Sequence, residues 1–166
     1  MQLILLSAGR GSRLPKKYRD SPKSCVKINN KRLIDYNIDF YKKFKKKIIV
    51  TGYKKNKLKK FINENKFEEI YNKQYEKTNM VYSMFLAKNI INDDVVVCYS
   101  DIIFNKNIYE DLKKKKSDCI PLNVNWLRLW KKRMSFKSIL NDAENVVVKK
   151  GIITQIGTKL KTKLPE

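Results

Sequence analysis

The first seven residues, MQLILLS, most constrain the fold. An apolar run this short, ended by small residues, reads as a buried strand. It stops at a glycine-rich stretch, AGRGSR, that spends Gly9 and Gly11 from a total of 5 glycines. Glycines at the end of a buried strand let the backbone turn sharply and bring its N–H groups against an anion, usually a phosphate. A strand, a glycine loop and a following helix make the usual phosphate cradle; here residues 16–24, polar with two Pro-Lys pairs, read as loop. The P-loop signature G-K-[ST] is missing, and the third glycine of the dinucleotide fingerprint would fall at Leu14. A plain tight turn fits the Gly-x-Gly pair equally well.

The rest of the chain alternates strand and helix patterns. Leu33, Tyr36, Phe40 and Phe44 recur at three- and four-residue steps, which predicts an amphipathic helix from Arg32 to Phe44. Strands are expected at KKIIVTGY (46–53), EEIYN (68–72), VVVCYS (95–100) and CIPLNV (119–124). Helices are expected at 56–65, 80–89 and 107–116, and a hairpin at 143–157 turning at Lys150-Gly151. This order predicts an α/β fold: a Rossmann-like, mostly parallel sheet flanked by helices, with a late β-hairpin. At 166 residues the chain is expected to form one domain.

Composition narrows the chemistry. There is no histidine, so Ser-His and Cys-His triads and His-ligated metals are excluded. Any metal must sit on oxygen, which points to magnesium. Cys25, Cys98 and Cys119 lack zinc spacing and read as buried free thiols. No apolar run is long enough for a membrane span, and no basic leader precedes MQLILL, so a cytoplasmic location is expected. The net charge is +22, from 38 basic and 16 acidic residues. Such a balance suits an anionic partner. Of the 38, six are arginine, so lysine-rich codon bias on a solvated surface accounts for most of the charge. No zinc finger, RNP pattern or basic helix with interleaved aromatics supports a nucleic-acid module, which stands as an alternative.

The spacing A-G-x-G-x-R, with Pro22-Lys23 about ten residues on, resembles the nucleoside-triphosphate transferase family. VTGY (50–53), YNKQYEKTNMVYS (71–83), CYSDIIF (98–104), NWLRLWKKR (125–133) and NDAE (141–144) extend the likeness in order along nearly the whole chain. The nearest pattern is that of CTP:phosphocholine and CTP:phosphonate cytidylyltransferases. The resemblance implies a GT-A-type fold and transfer of CMP from CTP to a small phosphorylated or phosphonate amine, with release of pyrophosphate. Phosphocholine, 2-aminoethylphosphonate and an amide-type phosphate are the acceptors it suggests.

The same resemblance assigns roles. Leu6, Ser7, Ala8, Gly9, Arg10, Gly11 and Ser12 would hold base and phosphates, with Asn79 and Ser83. Arg13 would clamp the outer phosphates and Lys23 would neutralise the α-phosphate; Lys16, also after a proline, competes for that role. Asp101 would hold magnesium, although a helix cap is its other reading. Asn79 and Ser83 equally suit capping. Tyr82, Trp126, Trp130, Arg133, Asp142 and Glu144 would meet the acceptor, the aromatic faces by cation–π attraction. Core packing is the other reading of the tryptophans. Two departures stand out: Asn123 and Asn125 replace the family's aspartate, and the sequence ends at KTKLPE, short of the family's last strand, helices and second acidic ligand. A shortened chain, a possible homodimer, a sugar-1-phosphate nucleotidyltransferase and a nucleotide-binding pseudoenzyme are therefore all carried forward.

Overall fold

The computed structural model describes residues 1–105 and 107–159; the closing KTKLPE lies outside them. Two compact units are present, Met1–Lys116 and the chain from Ser117 on.

The first unit is built on four parallel strands: β1 (Gln2–Ser7), β4 (Lys47–Thr51), β5 (Glu68–Tyr71) and β6 (Val95–Tyr99), in the order β5-β4-β1-β6. A two-residue antiparallel ribbon, β2 (Lys27–Ile28) with β3 (Lys31–Arg32), lies between β1 and β4 in sequence. All six residues of β1 are buried, as a central strand requires. Its alternation divides the core in two. Leu3 and Leu5 pack with Phe40, Tyr41, Phe61 and Phe67, and Ile4 and Leu6 pack with Ile48, Val50 and Ala87. The first cluster holds α1 (Ile38–Tyr41) and α2 (Lys59–Glu64), and the second takes Met84 from α3 (Met80–Phe85). The change of face follows from right-handed crossovers: the winding runs β1 to β4 to β5, then reverses to reach β6.

Several expected elements differ. The predicted 32–44 helix is a 3-10 segment, Leu33–Asn37, joined to one α-turn, α1. Asn37 sits at the joint, and its side-chain amide donates to the Ile102 carbonyl (2.7 Å) rather than facing solvent. Residues 16–24 are loop as expected, with no α-helix after the glycine loop. Pro15 and Pro22 each precede a single 3-10 turn, Lys16–Tyr18 and Lys23–Cys25. A proline lacks the N–H and forces its predecessor extended, so no longer helix spans this segment.

The second unit holds α5 (Trp126–Lys131), α6 (Phe136–Asp142) and the hairpin of β7 (Glu144–Lys149) with β8 (Ile152–Lys159); α4 (Ile108–Lys113) belongs to the first. Lys150 and Gly151 both have positive φ, as a two-residue type I′ turn demands. α6 was not expected from sequence; Ser135 caps it by accepting from the Ser138 N–H. The expected strand at 119–124 is absent. Ile120, Leu122 and Val124 are exposed and no strand pairs with them among the described residues, so their β-propensity finds no ladder to join. Cys119 is accordingly exposed, against expectation, whereas Cys98 is buried and Cys25 half-buried.

Candidate functional site

The strand order reverses beside β1, and ligands of parallel sheets gather at the carboxyl ends of the strands at such a point. A cleft of about 250 Å³ lies there. Leu6, Ser7, Ala8, Gly9 and Gly11 form its floor, Lys23 and Asp101 contribute charge, and Asn79 and Ser83 line it as well. These are nine of the residues named from sequence, brought together from positions as far apart as Leu6 and Asp101.

The start of the glycine loop is held from two neighbouring strands. Ser100 N–H donates to the Leu6 carbonyl (3.1 Å) and Tyr53 N–H to the Ala8 carbonyl (3.1 Å). Gly11 has φ +64°, and a Cβ there would lie 3.0 Å from Leu14 Cδ1 and 3.3 Å from Lys23 Cβ. The loop therefore packs directly on the lysine. Ser7 and Ser24 share a hydroxyl hydrogen bond of 2.9 Å, which ties the Lys23–Cys25 turn to the end of β1.

Lys23 Nζ lies 2.6 Å from Asp101 Oδ2, so the two candidate charges neutralise each other. Lys16 sits on its own exposed turn and does not line the cleft. Among the described residues Lys23 is the one cation in the lining. Asp101 follows β6 and ends no helix cap; the next helix begins at Ile108. No cluster of three metal-ligating side chains exists among the described residues. Asp101 alone still fits magnesium, which takes one or two carboxylates and completes its shell with phosphate oxygens and water.

Three of the residues named for base and phosphates fall outside the lining. Ser12 and Arg13 lie on the exposed turn after Gly11. Arg10 turns toward Glu76 (3.6 Å) and the Tyr53 ring (5.8 Å to the centroid). Asn79 does cap α3, accepting from the Tyr82 N–H (3.0 Å), and it lines the cleft too. Tyr82 is exposed on α3 outside the lining.

The remaining acceptor residues lie in the second unit. Trp126 and Trp130 share a face of α5 with rings edge to face at 5.5 Å, and the Arg133 guanidinium lies 5.1 Å from the Trp130 centroid. A cation of the chain itself therefore occupies one tryptophan face. Asp142 ends α6 and Glu144 opens β7.

The structure adds residues that the sequence reading did not name. Tyr75, Thr78, Met80, Tyr99, Ser100 and Ser24 also line the cleft. Behind Thr78 and Ser83 lies Asn72, 1% exposed at the end of β5. Its Oδ1 accepts from the Gln74 N–H (2.9 Å), and its Nδ2 donates to Thr78 Oγ1 and Ser83 Oγ (3.0 Å each). Gly52 lets this wall close: a Cβ there would lie 2.6 Å from the Ala8 carbonyl oxygen and 2.6 Å from Tyr75 Cβ. Gly52 lies inside the strand expected at 46–53 and Asn72 ends the one expected at 68–72, so periodicity marks neither.

Comparison with known proteins agrees with this geometry. The family model described as nucleotidyl transferase matches residues 2–124. CTP:phosphoglutamine cytidylyltransferase of Campylobacter jejuni is 34% identical over 96% of this chain and 66% of its own length. Choline-phosphate cytidylyltransferase of Streptococcus pneumoniae is 30% identical over 69% of this chain and 51% of its own. The chain thus spans between half and two thirds of these relatives. Among solved structures, the pneumococcal CTP:phosphocholine cytidylyltransferase superposes with a TM-score of 0.55 at 31% identity, over 60% of this chain and 44% of that one. The inositol-1-phosphate CTP transferase from T. maritima shares the fold, with a TM-score of 0.67 at 20% identity over 97% of this chain and 65% of that one. With its glycine loop, its cleft at the reversal of strand order and a family match over most of its length, the chain belongs to the nucleotidyl transferase family.

Proposed function

We propose that this chain transfers a cytidylyl group from CTP to a small phosphorylated acceptor and releases pyrophosphate. The observation that carries the reading is the cleft: a glycine loop packed on Lys23, with Asp101 beside it and a polar wall opposite. β5 and β6 are separated by three strand spacings, about 14 Å, enough for a nucleotide laid across the strand ends. Phosphates lie toward Lys23 and Asp101, at the β6 side. The base lies toward Thr78, Asn79 and Ser83, at the β5 side.

An acceptor phosphate oxygen attacks the α-phosphorus, and the bond from that phosphorus to the bridging oxygen breaks as pyrophosphate leaves. No protein nucleophile is needed; placement and charge neutralisation supply the catalysis. Lys23 exchanges its Asp101 partner for the α-phosphate as charge builds. Asp101 would be the residue to hold magnesium, which when bound would neutralise charge on the phosphate oxygens. Backbone N–H groups of the glycine loop orient the phosphates. Arg10, Ser12 and Arg13 approach the nucleotide only if their turn moves onto it.

An amide-type acceptor phosphate suits the chain better than a quaternary amine. The relative matched over 96% of the chain is named for phosphoglutamine, Asn123 and Asn125 bring amides where the family pattern has a carboxylate, and Arg133 already covers Trp130. The test is product identification. The chain is incubated with CTP, magnesium and, separately, a glutamine-type amide phosphate, phosphocholine, 2-aminoethylphosphonate and glucose-1-phosphate. A CDP-linked amide by mass spectrometry is expected. A product from glucose-1-phosphate alone would move the chain to the sugar-phosphate branch.

A further inference from the structure

We infer that Asn72 sets the nucleobase preference of the cleft by turning two hydroxyls into pure acceptors, which selects an amino-bearing pyrimidine over a carbonyl-bearing one. This rests on the reading that the cleft holds a nucleotide with its base at the β5 side. It adds the reason why that base would be cytosine.

The proton inventory is closed. A hydroxyl offers one donor and two lone pairs. Thr78 Oγ1 lies 2.8 Å from the Gln74 carbonyl oxygen, and Ser83 Oγ lies 3.2 Å from the Asn79 carbonyl oxygen. Carbonyls only accept, so each hydroxyl gives up its proton there. Asn72 fills one lone pair on each, since its two Nδ2 protons go to these two oxygens at 3.0 Å. The amide cannot be reversed, because its Oδ1 is fixed by the Gln74 N–H, which only donates. Asn72 is 1% exposed, so no water competes for these bonds. What remains on Thr78 and Ser83, two residues of the cleft lining, is one lone pair each.

Cytosine carries an N4 amino group where uracil carries a carbonyl oxygen. Two lone pairs can take both N4 protons of cytosine, whereas uracil brings its O4 against them and offers a single donor, N3–H, that can satisfy only one. A site built to bond a donor discriminates strongly against the analogue that lacks it.

The test is titration of the full chain with CTP, UTP and inorganic tripolyphosphate, each with magnesium. Wild type is expected to bind CTP at least about tenfold more tightly than UTP, the worth of one ordinary hydrogen bond. Thr78→Val and Ser83→Ala should each bring the CTP-to-UTP ratio toward one, with tripolyphosphate affinity unchanged. Thr78→Ser, which keeps the hydroxyl, should retain the ratio. Asn72→Ala should lower the ratio in the same way; if circular dichroism shows it unfolded, the Thr78 and Ser83 variants decide. Equal binding of CTP and UTP by wild type, or variants that weaken both nucleotides alike, would overturn this inference and leave the nucleotide site standing. Tripolyphosphate bound without either nucleotide, or nothing bound at all, would overturn the function reading along with it.

Discussion

Lys23 shows what a single residue owes to its surroundings. As one of 32 lysines it carries no mark of its own, and Lys16 has the same proline before it. The structure separates them: Lys23 faces the cleft and pairs with Asp101 at 2.6 Å, and Lys16 stands outside the lining. Lys23→Ala should lower turnover about a hundredfold, the usual scale for losing one charge-stabilising donor. Lys16→Ala should leave turnover within about twofold in the same steady-state assay. The cysteines give a second check. Burial, with the charge of Asp101 adding to it, pushes the Cys98 thiol up to about 12, and burial raises Cys25 as well. Burial disfavours the thiolate, so at pH 8 both stay protonated and unreactive. Iodoacetamide at that pH should modify exposed Cys119 first and Cys98 only with denaturant, as read by peptide mass. Equal labelling of Cys98 would mean that the sheet face is open.

Among the elements, those written in runs of apolar residues were legible and those decided by a partner were not. β1, β4 and β6 lie near their expected places because a parallel strand needs little beyond an apolar run, and β5, EEIY, lies where expected although it is a mostly exposed edge strand. The hairpin was legible because Lys150-Gly151 names its turn. The stretch after the glycine loop was legible as loop because Pro15 and Pro22 leave room for no more than single 3-10 turns. The strand expected at 119–124 failed: strand formation needs a neighbour, and periodicity does not report one. Asn72 was invisible because its role depends on three hydrogen bonds made only after folding. Two glycines separate folding from binding. Gly52→Ala would drive a methyl into the Ala8 carbonyl and Tyr75, and should cost about 1–3 kcal/mol in urea unfolding. Gly9→Ala meets nothing within 4 Å and should leave stability within about 0.5 kcal/mol. Its methyl enters open space at the cleft floor, so nucleotide affinity should fall about tenfold by calorimetry.

For the molecule as a whole, charge was the loudest signal and the least informative. A net +22 suggested an anionic partner, yet the cleft lining holds a single cation among the described residues. No helix among those residues is long and apolar enough to cross a membrane. The family was legible instead from the order of motifs along the chain, and the family model matches residues 2–124. The chain spans two thirds or less of the relatives' length, so its own turnover is the central question. The most direct measurement is pyrophosphate release by the 166-residue chain with CTP, magnesium and an amide-type acceptor phosphate, beside the Lys23→Ala and Asp101→Ala variants. Release that needs both substrates and is lost in both variants is the result predicted. CTP binding without release would make the chain a nucleotide-binding relative without transferase activity, and would contradict the account.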